Sequence, residues 1–190
     1  NQPTPITANK QTNLNEKTTI ELISTPVRGF TCTSTRLAKA APKLHETASL
    51  EDAQISHKLL SQSLGSCRMI YAMRVTRPDW IEQELGQYDD LLRDSFEKSS
   101  GMVLSEAEWL QASLSLKHGG MGLRSAKAHA AAAYVASLSS TWELCKEIDS
   151  GYTWEGMEEG SGYCNAAMAL NEIMSAETRV PMSQTAPDRL

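Results

Sequence analysis

The stretch PDWIEQELGQYDDLLRDSFEKSSG, residues 78–101, decides the fold class. Pro78 has no amide hydrogen and a fixed φ, which suits the first position of a helix. Ile81, Leu85, Tyr88, Leu92 and Phe96 then recur at three- and four-residue spacing and line one face of a 3.6-residue period. Trp80 and Leu91 widen that face. Gly101, after Ser99-Ser100, is a helix C-cap. A helix with one apolar stripe this long has to be covered by other helices.

Reading downstream, Ser105 and Glu108 make a capping box that opens a short helix carrying Trp109, Leu110 and Leu114. Gly119-Gly120-Met121-Gly122 forms a turn, and an alanine-rich helix follows over about 125–148, with Val135, Leu138, Trp142 and Cys145 on its edge. The acidic, glycine-bearing stretch 149–162 reads as a long loop, and a last helix is expected over about 163–177.

Upstream, Ser49 followed by Glu51 and Asp52 predicts a helix start. Ile55, Leu59, Leu60, Leu64, Met69, Ile70 and Met73 predict one helix weakened at Gly65, or two, up to about Val75. Pro26 and Gly29 read as a loop, with nothing firm before Arg36. Residues 1–20 are rich in Asn, Gln, Thr, Lys and Pro and read as a flexible arm, followed by a short apolar patch, Ile20–Ile23, that stops at Pro26. The expectation is an all-α, irregular bundle of about five helices with a disordered N-terminal arm. Its parts are an arm or upstream remnant over 1–35, a helical domain over 36–178 and an irregular tail over 179–190.

The length of 190 residues fits one domain, and 41% hydrophobic content excludes a wholly disordered chain. No apolar run approaches the ~18 residues that span a bilayer, so no membrane partner is expected. The chain begins with Asn1 rather than Met, which reads as a piece of something longer. Residues 1–78 hold 10 basic and 5 acidic residues (net +5), and residues 79–190 hold 8 and 18 (net −10). The acidic half argues against wrapping a nucleic acid, while the basic half permits phosphate contacts. Cys32, Cys67, Cys145 and Cys164 are too far apart for a zinc motif and too few for a disulfide scaffold. They read as reduced thiols of an intracellular protein, cytoplasmic or nuclear.

Candidate chemistry is sparse. Tyr88-Asp89-Asp90 has the paired aspartates with which polymerases hold metal ions, but Gln87 stands where an aromatic belongs and the setting is helical. The pair therefore reads as a solvated helix face, with no metal site. The glycine turn, flanked by Lys117 and Arg124, resembles a phosphate cradle but lacks the P-loop G-K-[ST] and a preceding strand. It reads as a tight backbone turn between helices. His45, His57, His118 and His129 are scattered, with no nucleophile signature near them.

Longer motifs carry more. Trp109-Leu110-Gln111-Ala112-Ser113-Leu114, the run from Gly119 to Ala126, and His129-Ala130-Ala131-Ala132-Ala133-Tyr134 resemble the region behind the polymerase domain of non-LTR-retrotransposon-type reverse transcriptases. Their W-L-x-A-x-L-P, G-G-L-G-L-R-S-A and H-A-x-A-A-[FY] motifs run in the same order. Arg74-Val75-Thr76-Arg77-Pro78 is similar to their L-R-x-x-x-P helix end, Asp89-Asp90-Leu91-Leu92-Arg93 to their D-x-L-L-R helix, and Ala169-Leu170-Asn171 to a further short motif. The similarity covers about 45–175, and Ser115 replaces the family's Pro.

The resemblance implies a thumb-like or connecting helical segment of an RNA-directed DNA polymerase from a mobile element. It implies no catalytic residue, metal or cofactor in this chain, because the family's polymerase carboxylates lie upstream, and so a segment inactive alone. The implied partners are the palm and fingers of the same polymerase and an RNA–DNA template–primer. By electrostatics and helix-end geometry, the candidate backbone contacts are Arg68, Arg74, Arg77, Lys117 and Arg124, beside the motif turn of Gly119, Gly120 and Gly122. The alternative is a stand-alone helical protein-interaction module that uses its apolar stripes.

Overall fold

The computed structural model describes residues 26–152 and 160–174, and the region ahead of Pro26 and the tail after 174 lie outside the described residues. Among the described residues there are seven α-helices and no strand: α1 (Pro26–Ala48), α2 (Ala53–Gln62), α3 (Ile70–Val75), α4 (Pro78–Ser100), α5 (Glu106–Ser113), α6 (Ala126–Ile148) and α7 (Gly162–Ile173). Two 3₁₀ turns, Ser66–Arg68 and Leu116–His118, join α2 to α3 and α5 to α6. The all-α irregular bundle is the architecture that the periodicity predicted.

Helix α4 is the central post. Ile81, Leu85, Tyr88, Leu92 and Phe96 are all buried, and α1, α2, α6 and α7 pack around the helix. Its ends follow the sequence, with Pro78 in the first turn and Gly101 as a left-handed cap at φ 69°. The Ser105 capping box on α5 is also present, with Ser105 Oγ accepting from the Glu108 amide and Glu108 accepting from the Ser105 amide.

Helix α1 corrects the sequence reading. It already includes residues 26–35, well ahead of Arg36, so these belong to the helical body rather than to an arm. Its inward face is Thr33, Leu37, Ala40, Leu44 and Thr47, a regular helical stripe whose two ends are threonines. The Thr33 and Thr47 hydroxyls donate to their own helix carbonyls, Gly29 O at 2.8 Å and Lys43 O at 2.8 Å, so they can be buried without external partners. A search for apolar periodicity passes over such a face. Gly29 is not a turn residue but a contact residue: a Cβ there would lie 2.3 Å from Thr76 Cγ2, just past α3.

The break expected near Gly65 is real and separates α2 from α3. Tyr88 reaches across from α4 and donates its hydroxyl to Leu64 O, with Gly65 O at 3.2 Å, so the carbonyls freed by the break are satisfied. Burial pushes the Tyr88 phenol far above its ordinary value, which keeps it a donor. Because the break rotates the chain, the expected seven-residue stripe splits: Leu60, Leu64, Met69 and Met73 are buried, while Ile55, Leu59 and Ile70 are exposed. The N-cap of α2 is Asp52, which accepts from the Gln54 and Ile55 amides, whereas Ser49 donates to Glu46 O at the end of α1.

Helices α6 and α7 form a second, smaller core of Val135, Tyr163, Ala166 and Ala167, where small side chains allow close packing. Helix α7 ends at Ile173, four residues before the expected limit at 177. No helix among the described residues is long and apolar enough to cross a membrane.

Truncating Leu92 to Ala should cost about 2–5 kcal/mol in urea unfolding followed by circular dichroism, against a change within about 0.5 kcal/mol for Leu110→Ala on the exposed side of α5. Hydrogen bonds from Ser105 hold the Glu108 carboxyl below its ordinary value. Its stabilising contribution is therefore present at neutral pH and is lost as the pH falls through that lowered value. The melting-temperature gap between the native chain and Glu108→Gln should be open at pH 7 and close below the ordinary glutamate value of about 4.3.

Candidate functional site

Two charged residues one helical turn apart on α4 gather the rest of the fold. Asp89 Oδ2 accepts from Ser125 Oγ at 2.5 Å and from the Lys127 amide at 3.1 Å, and Oδ1 accepts from the Ala126 amide at 2.7 Å. It thus caps the N-terminus of α6 from a different helix, alongside Ser125, whose Oγ accepts from the Ala128 amide. Burial raises the Asp89 carboxyl, and the Ser125, Ala126 and Lys127 donors pull against that rise. The expected solvated face is therefore corrected for Asp89: it is a cross-helix cap, and only Asp90 is exposed.

Arg93, on the next turn, donates to Glu97 at 3.0 Å, to Glu106 of α5 at 2.6 Å and to Leu104 O, and its guanidinium lies over the Trp109 ring at 5.8 Å. Glu97 also accepts from the Leu104 amide at 3.1 Å, and this bond, with Arg93, keeps its carboxyl below the usual range. Asp89 thus holds α6 while Arg93 and Glu97 hold α5.

Between those two helices lies the glycine turn. Its amides all point inward: Gly119 to Leu116 O, Gly120 to Ser115 O, Met121 and Leu123 to Ala112 O, and Gly122 to Leu114 O. Gln111 donates to Gly119 O at 2.9 Å, and His57 Nε2–H donates to Met121 O at 2.8 Å. At Gly120 a Cβ would fall 2.1 Å from Leu114 O, so only glycine fits. With these amides and the first three of α6 consumed, neither the turn nor that helix end can cradle an anion through its backbone. The turn packs helices.

What the turn does create is a groove of about 670 Å³ between α2, the Ser66–Arg68 turn and residues 115–124. Lys117 and Arg124 line it together with Lys58, and no Asp or Glu does. The remaining wall is Gln54, Gln62 and serine hydroxyls beside an apolar patch. Lys58, from α2, was not among the expected contacts, because the fold-back of the turn onto α2 leaves no local signal.

The other expected cations lie elsewhere. The Arg68 side chain folds back to donate to Ser63 O at 2.9 Å, just outside the groove, and Arg74 is exposed on α3. Arg77 forms a bidentate pair with Asp79, 2.7 Å at its shorter contact, and stacks on Trp80. That pairing with Asp79 raises its already high value, and its stem closes against Gly162 of α7. Arg77 is a joint between α4 and α7.

Ser115 Oγ and His118 Nδ1 share a 2.8 Å hydrogen bond in the exposed 3₁₀ turn, and the amides of His118, Gly119 and Gly120 are spent on carbonyls of that turn. Among the described residues, no three of His, Cys, Asp and Glu gather as a metal-binding group. No family model matches the sequence, and no curated protein or solved structure is similar to it.

Replacing Asp89 by Ala removes a charged acceptor from three donors and should destabilise the chain by about 2–3 kcal/mol in urea unfolding. Asp90→Ala should stay within about 0.5 kcal/mol.

Proposed function

We propose that this chain is a helical scaffold segment of a reverse-transcriptase-like protein from a mobile element. It supports RNA-directed DNA synthesis structurally, holding the template–primer by its phosphate backbone, and carries out no nucleotidyl transfer alone. The observation that carries the reading is the acid-free groove that brings Lys58, Lys117 and Arg124 together in a chain whose net charge is −5. A concave surface with three cations and no carboxylate suits a sugar–phosphate backbone, which is recognised by charge rather than by base edges.

The motif resemblance supports the same reading. The segments similar to D-x-L-L-R, W-L-x-A-x-L and G-G-L-G-L-R-S-A are bonded to one another through Asp89, Ala112 and Gln111. Residues that such a scaffold needs for its shape are thus the ones that carry the likeness.

The interaction-module reading rests on Val103, Leu110 and Leu116, which are 89%, 66% and 74% exposed on α5 and its flanks. Within a larger polymerase the same residues would face the palm and fingers.

Fluorescence anisotropy with a labelled RNA–DNA hybrid tests the proposal. Binding should be weak and should fall with salt along a log–log slope of about −3, as expected for three phosphate contacts. Lys58→Ala, Lys117→Ala and Arg124→Ala should each reduce that slope by about 1, and Arg77→Ala should leave it unchanged. No binding at low salt, or a triple variant with an unaltered slope, ends the idea. Metal-dependent nucleotide incorporation by the chain above background would equally overturn it.

A further inference from the structure

A second cavity, of about 620 Å³, opens between the N-terminal half of α1 and α3, and no described residue lines both it and the basic groove. Gly29 brings α1 against Thr76, and beside that contact Cys32, Val75 and the half-exposed ring of Tyr71 form a mostly apolar wall. Two cations of α1, Arg36 and Lys39, also line the cavity. They lie three residues apart, so they share one side of the helix. The Arg36 guanidinium lies 4.8 Å from the centre of the Tyr71 ring, and its Nε is shut off from solvent without an acceptor. Among the described residues, neither cation forms an ion pair and no Asp or Glu lines the cavity.

We propose that this cavity is a binding site for a small aromatic carboxylate. Its ring lies on the wall of Cys32, Val75 and Tyr71, and its carboxylate pairs with Arg36, with Lys39 beside it. Each part of the site selects one part of the ligand. Stacking on Tyr71 holds the guanidinium in one plane, and a planar fork of donors matches a carboxylate with two parallel hydrogen bonds. The unmet donor at Arg36 and the two unpaired charges favour an anion over a neutral molecule or a cation. The apolar wall favours a ligand with a hydrophobic body over an inorganic anion, and the cavity has the size of an ordinary small-molecule cleft. The inference goes beyond the proposed phosphate-backbone contact and does not depend on it.

Alkylation of the full chain by N-ethylmaleimide, with the rate at each cysteine read by mass spectrometry of its peptide, tests the site with 1-naphthoate as the probe. Cys32 lines this cavity and Cys67 lines the basic groove, so the two thiols report the two places separately. At roughly ten times its dissociation constant, 1-naphthoate should slow Cys32 roughly tenfold and leave Cys67 at its free rate. Neutral 1-naphthamide, and 1-naphthoate with the Arg36→Gln chain, should each need a roughly tenfold higher concentration for half-protection, equivalent to about 1.4 kcal/mol. Lys58→Ala, in the other groove, should change nothing at Cys32. Circular dichroism that matches the native chain excludes unfolding in Arg36→Gln, and the naphthamide comparison on the native chain decides the charge requirement even where that variant fails to fold. Cys32 left unprotected, equal protection by the amide, an Arg36→Gln chain with unaltered protection, or equal slowing of Cys67 overturns the proposal.

Discussion

The carboxylate of Asp89 at the N-terminus of α6 is the interaction on which the rest depends. A helix starts with amides that have no partner within the helix, and in α6 the first of them, at Ala126, is partly buried against α4. Asp89 meets two of them together with the Ser125 hydroxyl, so α4 and α6 are locked in one register. One turn further along α4, Arg93 draws in Glu106 and the Leu104 carbonyl and fixes the start of α5. Both attachments come from a single rigid helix, so the distance between α5 and α6 is set before the chain joining them is considered.

That constraint explains the glycine turn. The chain has to travel from the end of α5 to the start of α6 in a small space, and it does so by bonding its amides back onto Ala112, Leu114, Ser115 and Leu116. Backbone approaches as close as that at Gly120 exclude a side chain. The turn then lies against α2 through His57, and the groove is what remains between them. Its charge arises because the turn spends its amides internally but leaves the Lys117 and Arg124 side chains directed outward, opposite Lys58. An anion there meets flexible cations rather than a preformed amide nest, which suits a repeating phosphate backbone better than one tightly held phosphate.

Several features were legible from residues 78–101 and their neighbours because a single local rule determines each. The α4 stripe, the Pro78 start, the Gly101 stop and the Ser105 capping box depend on spacing and backbone chemistry within a few residues. Helix α1 was misread over 26–35 for an equally physical reason. Its buried face uses Thr33 and Thr47, whose hydroxyls are satisfied within the helix, and Gly29 has the composition of a turn while serving as a contact. Asp89 was misread because its polarity gave no sign that the donors it serves lie thirty-six and more residues away.

Sequence alone determined the helical class of this protein, the placement and limits of its central helix and the position of its glycine turn, since periodicity and capping act between neighbours along the chain. Only the tertiary structure decided which charged residues serve as structure and which face solvent. Arg77 and Arg93 are held in ion pairs, Asp89 in a cap, and Lys58, Lys117 and Arg124 share a groove. That sorting depends on which partner each charge meets in space, and residues brought together by packing carry no record of one another in their local sequence.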